Sequence, residues 1–144
     1  LEHLDKTTSA LNHSIATCVY AVHDPHLRQC RIANAGHLPP ARVRPGHPAE
    51  LLDLPTGVPL GVGGVGFSTV TVDFEPGDEL VFYTDGLVET RSHSLDERLA
   101  SLLSLLDDPV RPLEEACDLL LRTLHHPDNH DDVALLIARA QELS

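Results

Sequence analysis

Aromatic residues are almost missing from this chain: three Phe, two Tyr and no Trp make up 3% of 144 residues. The hydrophobic fraction is nevertheless 42%. The core must therefore be built from Leu, Val, Ile and Ala, in one domain or part of a larger one. Basic residues are also scarce. Ten Lys and Arg stand against 22 Asp and Glu, a formal charge of −12. That field repels nucleic-acid phosphates, so a DNA- or RNA-binding role is not expected. Metal cations or a basic protein partner are compatible with it. No apolar run is long enough to cross a bilayer and no signal-peptide pattern opens the sequence; no membrane insertion and a cytoplasmic location are expected. Cysteines are few and odd in number, without CxxC spacing, which speaks against a disulfide framework or zinc ribbon. Cys18 and Cys30 in strands and Cys117 in a helix read as small buried hydrophobes. The ten histidines contain no HExxH pattern, and His125, His126 and His130 fall in a polar loop that reads as surface.

What is present is an acidic pair of strand ends. Glu79-Leu80-Val81-Phe82-Tyr83-Thr84 runs into Asp85-Gly86, and Asp131-Asp132 stands directly before Val133-Ala134-Leu135-Leu136-Ile137. If these strands share a sheet, their acidic ends meet at one edge, and clustered carboxylate oxygens suit hard divalent cations. The alternative is a plain Asp-Gly turn and a solvated start to a strand.

Along the chain, residues 1–14 read as a helix end running into a loop. Residues 16–22 and 28–34 read as paired strands broken by Asp24-Pro25, followed by short strands at 41–44 and 50–54. The glycine-crowded stretch 55–66 matches neither GxxxxGK[ST] nor GxGxxG before a helix, which favours a covering loop over a phosphate cradle. Residues 67–74 alternate with period two, and Glu75-Pro76-Gly77-Asp78 is expected to close an antiparallel hairpin with the Asp85 strand. Leu95, Leu99, Leu102, Leu103 and Leu106 form a helical stripe; Pro112 opens a second helix with Leu113, Cys117, Leu120, Leu121 and Leu124 on its apolar face. A strand at 133–138 follows. The expected class is α+β: mostly antiparallel sheets with two adjacent helices on one face.

Four segments in this order resemble the metal-dependent PPM-type protein serine/threonine phosphatases, in particular the SpoIIE-like branch. They are Ala33-Asn34-Ala35-Gly36-His37-Leu38-Pro39-Pro40, Gly57-Val58-Pro59-Leu60-Gly61, Pro76-Gly77-Asp78 through Glu89, and Asp131-Asp132-Val133-Ala134-Leu135-Leu136. The resemblance implies an αββα sandwich, a two-metal site for Mg²⁺ or Mn²⁺, and phosphate hydrolysis by a metal-activated water. Such chemistry needs no protein nucleophile. It implies Asp85 and Asp131 as metal ligands. Asp132 and Gly86 would act as supporting residues, and Asn34, Gly36 and His37 as a site-facing turn. Two readings of His37 stand: a weakened additional cation site, or a turn residue hydrogen-bonded to backbone. Glu89 is either a supporting acid or a solvated helix-start acid.

In that branch an acidic Asp-x-x-Gly-His-Gly motif precedes these segments, and nothing in residues 1–14 resembles it. The expectation is a SpoIIE-like domain over 1–144, truncated on its N-terminal side and spanning about two thirds of the full domain. Such a fragment should be inactive, should bind metal poorly and should self-associate through uncovered sheet edges. The resemblance further suggests a phosphorylated STAS-type anti-anti-sigma factor as partner substrate, in sigma factor regulation by partner switching. The alternative is a non-catalytic regulatory module that keeps the fold.

Overall fold

The computed structural model describes residues 1–11, 14–64, 66–107, 111–125 and 131–143; His126 and His130 lie outside these. The element order is α1 (Glu2–Ser9), β1 (Cys18–Asp24), β2 (Gln29–Ala35), β3 (Ala41–Val43), β4 (Glu50–Leu51), β5 (Thr69–Asp73), β6 (Glu79–Tyr83), α2 (Asp85–Val88), α3 (Leu95–Leu105), α4 (Leu113–Leu124) and β7 (Leu135–Arg139). Two compact units result. The first holds Leu1–Pro39 and Asp53–Glu75; the second holds Pro40–Leu52 and Pro76–Gln141.

In the first unit, β1, β2 and β5 form an antiparallel sheet in that order. The β1–β2 turn is set by Asp24, whose Oδ1 accepts the amides of His26 and Leu27 at 3.0 and 3.1 Å, the Asx-type turn that Asp supports. Buried Cys30 and Ile32 flank exposed Arg31, as a sheet with one covered face requires. Helix α1 turns Asp5 inward, where its Oδ1 accepts the Gly61 amide at 2.8 Å.

In the second unit the order is β4-β3-β6-β7, all antiparallel. Strand β6 sits between two neighbours, and four of its five residues are buried. Two acids at its start are paired: Asp78 with Arg42 at 2.8 Å and Glu79 with Arg139 at 2.6 Å. Burial of an unpaired carboxylate would be costly, so these arginines are part of the strand's stability. Ser94 and Glu97 form a capping box that starts α3. Helix α4 packs beside α3 and against β7, with Ala116, Leu120 and Leu124 buried.

The α+β class, the antiparallel sheets and the adjacent helix pair agree with the sequence reading. Several expectations fail. Of the three cysteines expected as buried hydrophobes only Cys30 is buried, Cys18 and Cys117 being half-exposed. Residues 67–74 and the Asp85 strand do not form a hairpin: β5 pairs with β2, and β6 pairs with β3 and β7. Phe74 N–H donates to Arg28 O, which extends the β2 pairing. Beyond the turn, Gly77 N–H donates to Ala140 O and Ala140 N–H to Asp78 O, which commits β6 to β7. The buried face of α4 is also rotated, with Ala116 inside and Leu121 at 37% exposure. Strand β4 is only Glu50–Leu51.

Candidate functional site

The ends of β6 and β7 are joined by Thr84. In the ladder, Tyr83 lies opposite Leu135, so the next pair is Thr84 with Ala134. Thr84 N–H donates to Ala134 O at 3.0 Å. The return bond, however, runs from Ala134 N–H to the Thr84 hydroxyl at 2.9 Å, where a regular antiparallel pair would use the Thr84 carbonyl. That carbonyl instead accepts Leu87 N–H at 3.0 Å, closing the first turn of α2. The hydroxyl also donates to Asp132 O at 3.1 Å. In the sequence Thr84 stands out only as part of the Asp85 motif. The signal was a hydroxyl residue at the point where a strand becomes a helix.

Gly86 completes the contact. A Cβ there would lie 2.4 Å from Asp132 O and 3.2 Å from Asp131 O, so only glycine lets the Asp131–Asp132 backbone come this close. Thr84 and Gly86 thus bring Asp85 and the Asp131–Asp132 pair to one edge of the sheet. Both Asp85 and Asp131 are exposed. Each carboxylate is oriented by a neighbouring amide: Asp85 Oδ1 accepts Gly86 N–H at 3.0 Å, and Asp131 Oδ1 accepts Asp132 N–H at 3.1 Å. Asp132 enters these contacts through its backbone. Glu89 is exposed and caps α2, its amide donating to Asp85 O.

Asn34, Gly36 and His37 belong to the first unit. Asn34 is 3% exposed and closes a tight turn on both sides. Its Nδ2 donates to His37 O at 2.8 Å, and its Oδ1 accepts His37 N–H at 2.9 Å. Gly36, at φ +68°, lies where a Cβ would meet Pro59 at 2.7 Å, and its amide donates to Thr56 O at 2.7 Å. The Gly-rich loop is thereby fastened to the turn. His37 Nδ1 lies 2.8 Å from Leu38 O. A carbonyl only accepts, so Nδ1 carries the hydrogen. The hydrogen bonds of His37 are those of a turn residue.

Burial disfavours the thiolates of Cys30 and Cys117 and the phenolate of Tyr83 as reacting groups. Burial pushes the Cys30 thiol up, and burial together with Glu114 and Asp118 does the same for Cys117. Burial raises Tyr83 well above the usual phenol range, so it stays neutral. The hard oxygen donors of Asp85 and Asp131 fit a divalent cation in kind. In number they supply only part of a shell, because among the described residues no group of three or more His, Cys, Asp or Glu could hold an ion.

Solved structures share this fold. The RsbU and RsbW domains of Rv1364c from Mycobacterium tuberculosis match at 27% identity with a TM-score of 0.81, over 99% of this chain and 42% of that one. The SiaA PP2C domain of Pseudomonas aeruginosa matches at 21% identity and TM-score 0.73, over 97% of this chain and 57% of that one. The manganese-soaked phosphatase domain of SpoIIE from Bacillus subtilis matches at 18% identity and TM-score 0.67, over 90% and 58%. The chain therefore spans roughly half the length of these neighbours. The family model for stage II sporulation protein E matches residues 1–141, and the chain belongs to the SpoIIE family, within the PPM-type (PP2C) fold.

Proposed function

We propose that this chain is part of a protein phosphatase domain that hydrolyses phosphoserine or phosphothreonine on a partner protein. The observation that carries the reading is the joining of Asp85 to Asp131–Asp132 by Thr84 and Gly86. Asp85 and Asp131 would hold a Mg²⁺ or Mn²⁺ ion through carboxylate oxygens, aided by amides that fix one oxygen of each. A bound divalent pair supplies an activated water at neutral pH and neutralises charge on the phosphoryl oxygens. The chain's own residues contribute orientation. Gly86 and Thr84 set the spacing of the two carboxylates, and the sheet beneath them keeps it rigid.

Two carboxylates are fewer than such a pair of cations needs. The remaining ligands would come from the part of the relatives' domain that this chain does not match, as the 58% coverage of the SpoIIE phosphatase domain suggests. On this reading the 144-residue chain alone hydrolyses little. A neighbour that combines RsbU and RsbW domains in one protein supports a place in a partner-switching pathway. We take a STAS-type anti-anti-sigma factor as the substrate, with sigma-factor control as the outcome.

A second reading is a regulatory module that keeps the fold without the chemistry. The experiment that separates them is Mn²⁺-dependent phosphate release from a phosphoserine STAS protein by the parent polypeptide, alongside Asp85→Asn. Release that needs both the metal and Asp85 supports the enzyme. A folded parent without metal-dependent release supports the module.

A further inference from the structure

We propose that Thr84 is a positioning residue whose hydroxyl holds the two acidic segments at one cation site. The inference rests on reading Asp85 and Asp131 as cation ligands. Its own support lies in how Thr84 is used.

Thr84 is the N-cap of α2, with φ −87° and ψ 159°. A threonine there ordinarily turns its hydroxyl onto an amide of the first helical turn. Here no such bond forms. The hydroxyl is directed across the strand pair, accepting Ala134 N–H and donating to Asp132 O. Its one donor and one of its acceptor lone pairs thus go to the segment that carries Asp131 and Asp132.

The reason lies in a conflict at the end of β6. To start a helix directly after the strand, the Thr84 carbonyl must turn to Leu87 N–H. The Ala134 amide, just ahead of β7, then loses its acceptor, and the segment that leads from Asp131–Asp132 into β7 would detach there. The hydroxyl replaces that acceptor. β6 can therefore become α2 at Asp85 while Asp131–Asp132 stays attached. Serine can replace threonine in this role. Valine, of the same shape, cannot.

The test uses the ¹⁵N-labelled chain, titrated with Mn²⁺ and followed by paramagnetic broadening of individual amide signals, which registers even weak binding. In the wild type and in Thr84→Ser, the signals of Asp85–Gly86 and of Asp131–Asp132 should broaden with one shared midpoint. In Thr84→Val the midpoint should rise by about tenfold or more, the range seen when a residue that orients a metal ligand is lost. The two segments should then broaden separately, and the Ala134 amide should exchange faster with solvent. Thr84→Ala, which leaves room for water, gives the same comparison if valine impairs folding. A shared, unshifted midpoint with Ala134 still protected in the folded Val or Ala variant overturns the proposal. Absence of broadening at both segments in the wild type instead overturns the cation reading on which it rests.

Discussion

Gly86→Ala separates site geometry from stability. The added Cβ would sit 2.4 Å from Asp132 O and 3.0 Å from Asp132 C. Both are backbone atoms, so no side-chain rotation relieves the overlap. The Asp131–Asp132 segment must withdraw by roughly 0.6 Å merely to reach 3.0 Å, the lower limit of real contacts. Overpacking of this kind costs about 1–3 kcal/mol. Gly86 lies in α2 and is not among the glycines with positive φ, so alanine also gains up to about 1 kcal/mol of helix propensity. The net change in stability should be modest, about 0–3 kcal/mol. The change at the site should be large, because a misplacement of about 1 Å can cost on the order of 100-fold in rate. Urea denaturation of the chain and Mn²⁺-dependent phosphate release by the parent polypeptide measure the two effects. The expected pair is a loss of at most about 3 kcal/mol in unfolding and a loss of about 10–100-fold in release. Wild-type release in a folded Gly86→Ala protein would refute the claim that this contact sets the spacing of the two carboxylates.

Other expectations follow from the same structure. Arg139→Leu leaves Glu79, whose side chain is 4% exposed, without its 2.6 Å partner, and should lower unfolding stability by about 3–5 kcal/mol in urea. Asn34→Ala removes both side-chain bonds to the His37 backbone and should cost about 1–3 kcal/mol, read by thermal unfolding. Glu97 is held below its ordinary range by bonds to the Ser94 amide and hydroxyl. A depressed carboxylate stabilises the fold above its unfolded pKa and stops doing so as pH falls through the folded value. Acid titration of helicity should therefore show α3 losing this support as pH falls below about 4.5, and Ser94→Ala should weaken that pH dependence while the bond from the residue-94 amide to Glu97 keeps part of it. We also expect the chain to self-associate. β7 ends the sheet order, its Leu136 is 61% exposed, and unpaired edges recruit other strands. Sedimentation should show association that Leu136→Lys reduces; a monomer at all concentrations would contradict it.

The sequence made the acidic strand ends legible because both are marked by simple signals: Asp-Gly at the end of an apolar run, and Asp-Asp before one. It also showed the two-helix segment through its leucine spacing. The supposed hairpin at Glu75-Pro76-Gly77-Asp78 was misread because a turn signature shows that the chain reverses, not which strand receives it. That choice is made by the Asp78 and Gly77 bonds to Ala140, more than sixty residues on. The face of α4 was misjudged by one position because Ala116 is small enough to pass for neutral in a leucine count, yet it is the residue packed inside. Thr84 stayed hidden for a different reason. Its side chain serves a distant segment, and nothing local distinguishes it from an ordinary helix cap. For Asn34 the reverse holds. The residue pattern places it at a strand end and the family resemblance in a turn; the structure adds that it lies in β2 with both ends of its amide bonded to the His37 backbone.

The central claim is that Asp85 and Asp131 act on the same cation. The most direct measurement is a Mn²⁺ titration of the parent polypeptide, with free metal followed by electron paramagnetic resonance, for the wild type, Asp85→Asn, Asp131→Asn and the double variant. Ligands to one ion behave as a unit, so their losses are not additive. Each single variant should weaken the same site, and the double should be scarcely weaker than the worse single. Wild-type affinity in either single variant, or losses that simply add in the double, would contradict the account.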